Sequence, residues 1–296
     1  MNEKNMTALV SAFARAYHVR NNDFPIYSDG IDGGILYEEE YNSISNSMTE
    51  GIVFFNPNYK GDKKEALRWI VDNNLSPSVL AREIISENNL INMMKLGCRQ
   101  LIVFASGYDT MGYKERFHNL NIYELDREEM IKDKKKRIEE KGIGNKNVRY
   151  ISCDFEDDNW IDSLINSTYD KEGLSFSTLL GISYYLAKDD FEKMIRLISN
   201  NVAEGSLLVF DYPTYIECEE SKKNEALAKE ASEEMKAKYS YHEIESMLEK
   251  NGLFIVEHLS NEMVDKNYFA FYNKMNPKHI IKAPIGVAYC IAKKIE

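Results

Sequence analysis

The sequence predicts an α/β fold: a seven-stranded Rossmann-like sheet with helices on both faces, preceded by an N-terminal helical cap. Three observations carry this reading. From Leu101 onward, short apolar runs alternate with amphipathic helical segments. The run 101–105 is apolar throughout, as in a strand buried on both faces, and it stops at the small residues Ala105-Ser-Gly107. The first 96 residues carry no comparable strand pattern; there Leu9, Phe13 and Tyr17 recur at four-residue intervals.

Taken in order, residues 7–19 read as a helix. Residues 21–62 are rich in Asn, Gly, Asp and Tyr, include Asp32-Gly-Gly34, and read as loops and short helices. Helices follow at 63–73 and 78–96; Ser76-Pro77 starts the second and Gly97 closes it. Strands are expected at 101–105, 122–125, 148–153, 176–180, 207–210, 254–256 and 286–292. Helices are expected at 127–140, 160–165, 189–200 and 242–251, the third with Phe191, Met194, Ile195 and Ile198 on one face. Residues 217–238, rich in Glu and Lys, read as a helix with a solvated face. Residues 259–284 read as irregular and aromatic. The final two strands thus lack an intervening helix, and a closing antiparallel hairpin is expected. The chain 1–296 reads as one domain, with a cap over 1–96 and an α/β core over 97–296. Inserted segments fall near 213–240 and 259–284.

Composition narrows the function classes. The chain of 296 residues is 44% hydrophobic and carries a net charge of −11. That charge argues against broad nucleic-acid binding, which wants a basic surface. No apolar run approaches the roughly 18 residues of a membrane span. The polar start, Met1-Asn-Glu-Lys-Asn-Met-Thr7, does not read as a signal peptide. Four cysteines (Cys98, Cys153, Cys218 and Cys290) lie far apart without a C-x-x-C, so neither a metal site nor a disulfide framework is suggested. Buried thiols in a reducing, cytoplasmic setting are the expectation.

The candidate site is the turn after the first strand together with Asp126, which ends the second and lies 19 positions after Gly107. Nucleotide-binding α/β folds place a ribose-binding carboxylate about 20 residues past the glycine turn. Only Gly107 is present of a G-x-G-x-x-G fingerprint, and no G-x-x-x-x-G-K-[ST] occurs. A nucleoside ligand without pyrophosphate needs fewer glycines, and S-adenosylmethionine is the commonest such cofactor. A plain turn with Asp126 as an N-cap and Glu129 three residues on would give the same spacing.

Longer motifs, matched in order, favour the nucleoside reading. The stretch Ala105-Ser-Gly-Tyr-Asp-Thr-Met-Gly-Tyr-Lys114 resembles the G-x-G-x-D-T-R-x-Y-R motif of the leucine carboxyl methyltransferase family. The likeness is to its bacterial branch of S-adenosylmethionine-dependent O-methyltransferases, which includes polyketide-tailoring enzymes. Glu124-Leu-Asp126 with Lys134 resembles that family's E-V-D and downstream Lys. Asp154-Phe155 with Trp160 resembles its D-L and Trp, and Leu180-Gly181 with Tyr185-Leu186 its E-G and Y-L. Thr7-Ala8, Arg15-Ala-Tyr-His18 and the Arg82 helix also match in order, so the resemblance spans roughly residues 6 to 210.

The resemblance implies a seven-stranded S-adenosylmethionine methyltransferase sheet and assigns roles. Arg82 would pair with the cofactor carboxylate, for which a planar guanidinium fork is suited. The turn Ala105, Ser106, Gly107 and Asp109 would receive the methionine portion, together with Gly181. Asp126 would hold the ribose hydroxyls, and Asp154 and Phe155 would bracket the adenine. Tyr113 and Tyr185 would face the substrate. Four positions depart from the family pattern: Ala105 for its first glycine, Met111 and Lys114 for its arginines, and Leu180 for its glutamate.

The expected function is methyl transfer to a carboxylate or hydroxyl oxygen of a small molecule, with neither nucleic acid nor membrane as partner. A carboxylate acceptor is already nucleophilic, whereas a hydroxyl needs a base, most often His. The five histidines (His18, His118, His242, His258 and His279) all lie away from strand ends, which tilts the reading toward a carboxylate. The acceptor pocket is expected from the cap, residues 213–240 and the aromatic stretch Tyr268, Phe269, Phe271 and Tyr272. A second reading, motivated by Met111 and Leu180, is a cofactor-binding protein that has lost catalysis. A third is RNA modification, against which the net charge weighs.

Overall fold

In the computed structural model, all residues are described except 1–5, 28–30, 32–33, 158, 219–221, 224, 227–228 and 230–233. The readings made on Met1–Asn5, on Asp32-Gly33 and on much of 217–238 therefore fall outside the described residues.

The cap comes first. Helices α1 (Met6–Arg20), α2 (Glu38–Glu50), α3 (Ile52–Phe55), α4 (Lys63–Ile70) and α5 (Ser76–Lys95) follow one another, with a π-helical turn, Val71–Leu75, joining α4 to α5. Leu9, Phe13 and Tyr17 of α1 are buried on Ile44, Ile70 and Val79. Proline in the first turn of α5 costs no hydrogen bond there. Gly97, at φ +98, ends α5 in a left-handed turn, with the Cys98 N–H donating to the Met93 carbonyl at 3.0 Å.

The α/β part contributes β1 (Gln100–Phe104), β2 (Asn121–Asp126), α6 (Glu128–Glu140), β3 (Val148–Ser152), α7 (Asp162–Ile165), β4 (Ser175–Leu179), α8 (Lys188–Ser199), β5 (Leu207–Pro213), α9 (Tyr241–Lys250), β6 (Leu253–Leu259), α10 (Asn261–Val264), α11 (Ala270–Met275) and β7 (Val287–Lys294). The strands form one seven-stranded sheet in the order β3-β2-β1-β4-β5-β7-β6, parallel except for β7. Alternation along the strands splits two cores across it. Ile102, Phe104, Tyr123 and Leu125 face α8 and α9, whereas Leu101, Val103 and Ile122 face α5 and the segment carrying Phe269 and Tyr272. The cap is fastened to α6 by a bidentate pair, Arg137 to Glu40 at 2.6 and 2.8 Å.

Four expectations need correction. Within the stretch read as loops and short helices, residues 38–50 form a full 13-residue helix; only Ile44 of it is buried, so apolar periodicity is nearly absent. The stretch 259–284 is not irregular: α10, a π-helical turn Asp265–Phe269 and α11 run through it, so helices do intervene before β7. The described residues of 222–229 are helical, but 234–238 are not; Tyr239 instead bridges to Thr214. Finally, β5 runs on to Pro213, because β7 pairs with it as far as Pro213↔Val287. That extension places Asp211 inside the sheet.

Candidate active site

Strand order reverses between β1 and β4, and open α/β sheets bind ligands in the crevice beyond the carboxyl ends of their strands at such a point. A cavity of about 1220 Å3 fills that crevice. One wall is the carboxyl edge of β1, β2 and β4. The facing walls come from the cap and from residues within 213–238 and 280–287.

The turn after β1 is built from two left-handed residues, Ala105 at φ +52 and Gly107 at φ +44. Among the described residues Ala105 is the one non-glycine with positive φ. A Cβ in that conformation costs about 1–2 kcal/mol, and alanine is the smallest side chain that carries one. The replacement of a motif glycine by Ala105 therefore keeps the turn's shape. Sequence-distant groups hold it closed: the Ser106 N–H donates to the Leu125 carbonyl at 3.0 Å and the Gly107 N–H to Asp126 Oδ2 at 2.7 Å. Asp126 Oδ1 accepts the Arg127 N–H at 2.8 Å, so Asp126 ties β1 to β2 rather than capping α6 with its side chain. Burial pushes the Asp126 carboxyl above the ordinary range, against the two backbone donors. Asp109 lines the cavity too, but its Oδ1 accepts the Met111 N–H at 2.7 Å and fixes the following turn.

Across the crevice, Gly181 follows β4 at φ +72. A Cβ on it would stand 3.0 Å from Arg82 Nη1, so glycine lets the guanidinium close on this turn. Arg82, reaching over from α5, is salt-bridged to Asp211 at 2.7 Å. On the remaining side, Asp154 is exposed and its Oδ1 accepts the Glu156 N–H at 3.0 Å. Phe155 packs edge-on against Trp160 with ring centroids 5.1 Å apart. Tyr185 also lines the cavity.

These groups suit a nucleoside that carries an amino-acid tail. Ser106 Oγ is buried in the cavity wall with no hydrogen-bond partner, a polar atom left for a ligand. Asp126 would take a diol, the Phe155 ring one face of a base, and Arg82 a carboxylate.

Two expectations are corrected. Tyr113 does not line the cavity. The 3-10 turn Met111–Tyr113 packs it against the sheet, where its hydroxyl meets Glu124 Oε2 at 3.1 Å and the Tyr150 hydroxyl at 2.7 Å. The aromatic stretch 268–272 also stays out of it: Phe269 and Tyr272 belong to the core and Phe271 points to solvent. Residues 280–287 take that place. Of the departures, Met111 is buried in the core, and Lys114 is buried between Glu83 and Glu87, at 2.6 Å from each. Ala105 and Leu180 both line the cavity, and of these Leu180 is the one that removes a charge from its wall. No histidine is among the described lining residues. His18 is buried with Nε2 accepting the Ile26 N–H at 2.8 Å, and burial pushes its pKa down to about 3. Asp211 and Tyr184 were not singled out as site residues; the signal for the first was an acid at the end of an apolar run, as for Asp126.

The sequence pattern of the family described as leucine carboxyl methyltransferase matches residues 8–199, about two thirds of the chain. The chain belongs to the leucine carboxyl methyltransferase family. YktD of Bacillus subtilis (strain 168), a protein provisionally assigned as an S-adenosyl-L-methionine-dependent methyltransferase, is 32% identical over 282 residues, covering 91% of this chain and 92% of its own. The fold recurs in a DUF574 family protein from Streptomyces avermitilis MA-4680, with TM-score 0.58, 14% identity and coverage of 96% and 97%. A methyltransferase-assigned protein from Thermobifida fusca YX is also similar, with TM-score 0.55, 13% identity and coverage of 84% and 94%. The protein is accordingly an S-adenosylmethionine-dependent methyltransferase of this family, on the sheet expected of one.

Proposed function

We propose that the protein transfers the methyl group of S-adenosylmethionine to an oxygen of a small molecule, a carboxylate in preference to a hydroxyl. The observation that carries this is one large cavity whose lining combines the sheet-edge turn, Arg82 and a separate wall from the cap and residues 280–287. At the sheet edge, Gly107, Asp126 and Phe155 offer a nucleoside site, and Arg82 beside Gly181 a site for the amino-acid tail. The space between the cap and residues 280–287 is left for an acceptor. At about 1220 Å3 the whole exceeds the roughly 300–1,000 Å3 of a single-ligand pocket.

Bound there, S-adenosylmethionine supplies an electrophilic methyl carbon on a sulfonium. The chain's own part is placement. The turn at Gly107 and Asp126 fixes the nucleoside, and the cap closes over it and excludes water. A carboxylate attacks in line without giving up a proton, so no base is required. The absence of histidine from the described lining residues favours that acceptor, and Lys236 and Lys282 on the far wall supply cations to orient it, Lys238 being paired with Glu225 at 2.9 Å. The net charge of −11 weighs against a nucleic-acid acceptor. Scattered cysteines, two of them buried, support a cytoplasmic setting.

The test is to incubate the protein with S-adenosylmethionine and a panel of small carboxylic acids and phenols, with products read by mass spectrometry. Methyl esters that alkali returns to the free acids are expected, with one S-adenosylhomocysteine formed per ester. Alkali-stable ethers alone would move the acceptor to a hydroxyl. No transfer across the panel by a protein that binds S-adenosylhomocysteine would favour a binding module.

A further inference from the structure

Asp211 lies one layer behind the cavity wall, on β5, beyond the residues 8–199 that carry the family match. Its side chain is fully buried, and every group that touches it is a donor. Oδ2 accepts Arg82 Nε at 2.8 Å, Arg82 Nη2 at 2.7 Å and the Tyr184 hydroxyl at 2.7 Å. Oδ1 accepts the Gly181 N–H at 2.7 Å, and the Asp211 carbonyl accepts Ser183 Oγ at 2.6 Å. Two of the three guanidinium nitrogens of Arg82 are thus spent on this carboxylate. The third, Nη1, stands at the Gly181 turn, 3.0 Å from where a Cβ would be.

We propose that Asp211 is the positioning residue of the cofactor's amino-acid subsite: it holds Arg82 and the Gly181 turn together, so that Nη1 meets the methionine carboxylate and the site favours ligands with that tail. The inference rests on reading the cavity as the S-adenosylmethionine site. The physical gain is preorganisation. A free arginine loses rotamer freedom when it grips a ligand, whereas this one is already ordered by folding. The acid also sits where the chain lacks the family's glutamate: Leu180, beside Gly181, brings no charge, and the neighbouring strand supplies the carboxylate instead. Because all its partners donate, asparagine cannot replace Asp211. Its NH2 group would face a donor whichever way the amide turned.

The experiment compares two ligands by calorimetric titration. S-adenosylhomocysteine carries the amino-acid tail, and 5′-methylthioadenosine has the same nucleoside and a thioether without it. The intact protein is expected to prefer the first by about ten- to hundredfold, the worth of one charge-assisted contact. In Asp211→Asn that ratio falls about fivefold or more, while methylthioadenosine affinity stays within about twofold and reports an intact nucleoside half. A ratio unchanged in Asp211→Asn overturns the proposal. Should Asp211→Asn fail to fold, Arg82→Lys carries the same test with Asp211 in place: it keeps the charge, loses the fork, and must lower the ratio; an unchanged ratio again overturns the proposal. An intact protein that binds both ligands equally refutes the subsite alone. One that binds neither refutes the cofactor reading beneath it.

Discussion

Asp126→Ala loses S-adenosylhomocysteine binding by at least about a hundredfold. Two losses combine. A carboxylate that accepts ribose hydroxyls is worth roughly 1.5–3 kcal/mol per charge-assisted bond. The same side chain also accepts the Gly107 N–H at 2.7 Å and the Arg127 N–H at 2.8 Å. Without it, the left-handed turn at Ala105 and Gly107 loses its tie to β2, and the backbone that the ligand must approach is no longer fixed. Calorimetry on the variant checks this, beside circular dichroism to establish that the sheet is intact. Affinity within a few-fold of the parent would mean that Asp126 serves only to close the turn.

Lys114→Met is expected to cost about 3–5 kcal/mol, a fall in melting temperature on the order of 10 °C. Lys114 is buried with its ammonium 2.6 Å from both Glu83 and Glu87, under the cofactor wall. Methionine matches its length but leaves two buried carboxylates facing each other, with Arg116 still on Glu87. The sign of the pH dependence follows. Burial opposes ionisation of Glu83, and the Lys114 charge overcomes it and holds that carboxyl below its usual value. In the parent, this contributes stability above the unfolded carboxylate range that is lost as pH falls through the folded value. In the variant the Lys114 charge is gone and burial is opposed only by the weaker pull of Arg15 and Arg116, so the carboxyl rises and the neutral form is favoured. The deficit is therefore largest near neutrality and shrinks as pH is lowered toward 5. Thermal melts at both pH values check this; a deficit that is constant with pH would mean that packing, not charge, is lost.

The first strand was legible because it buries both faces, which writes an unbroken apolar run: 101–105 was expected and Gln100–Phe104, buried at every position, is observed. The cap's second helix was not, since a helix with one buried residue leaves almost no period. The candidates fixed by local backbone do line the cavity. Gly107, Gly181 and the acids at 126 and 154 stand at strand ends, and strand ends form one wall of the cavity. Tyr113 was misplaced because motif spacing does not reveal that a 3-10 turn sends its side chain to Glu124 and Tyr150. The partner of Arg82 was hidden for a different reason. Asp211 is 129 positions away, and only the pairing of β5 with β7 extends the strand far enough to bring it under the guanidinium. The far wall at 280–287 was hidden in the same way, by a long-range contact.

The most direct test of the cofactor site is a crystal structure of the protein with S-adenosylhomocysteine. The ribose hydroxyls are predicted within hydrogen-bond distance of Asp126, the adenine against Phe155, and the tail carboxylate on Arg82 beside Gly181. The ligand lodged elsewhere, with Asp126 still engaged only with Gly107 and Arg127, would contradict the account.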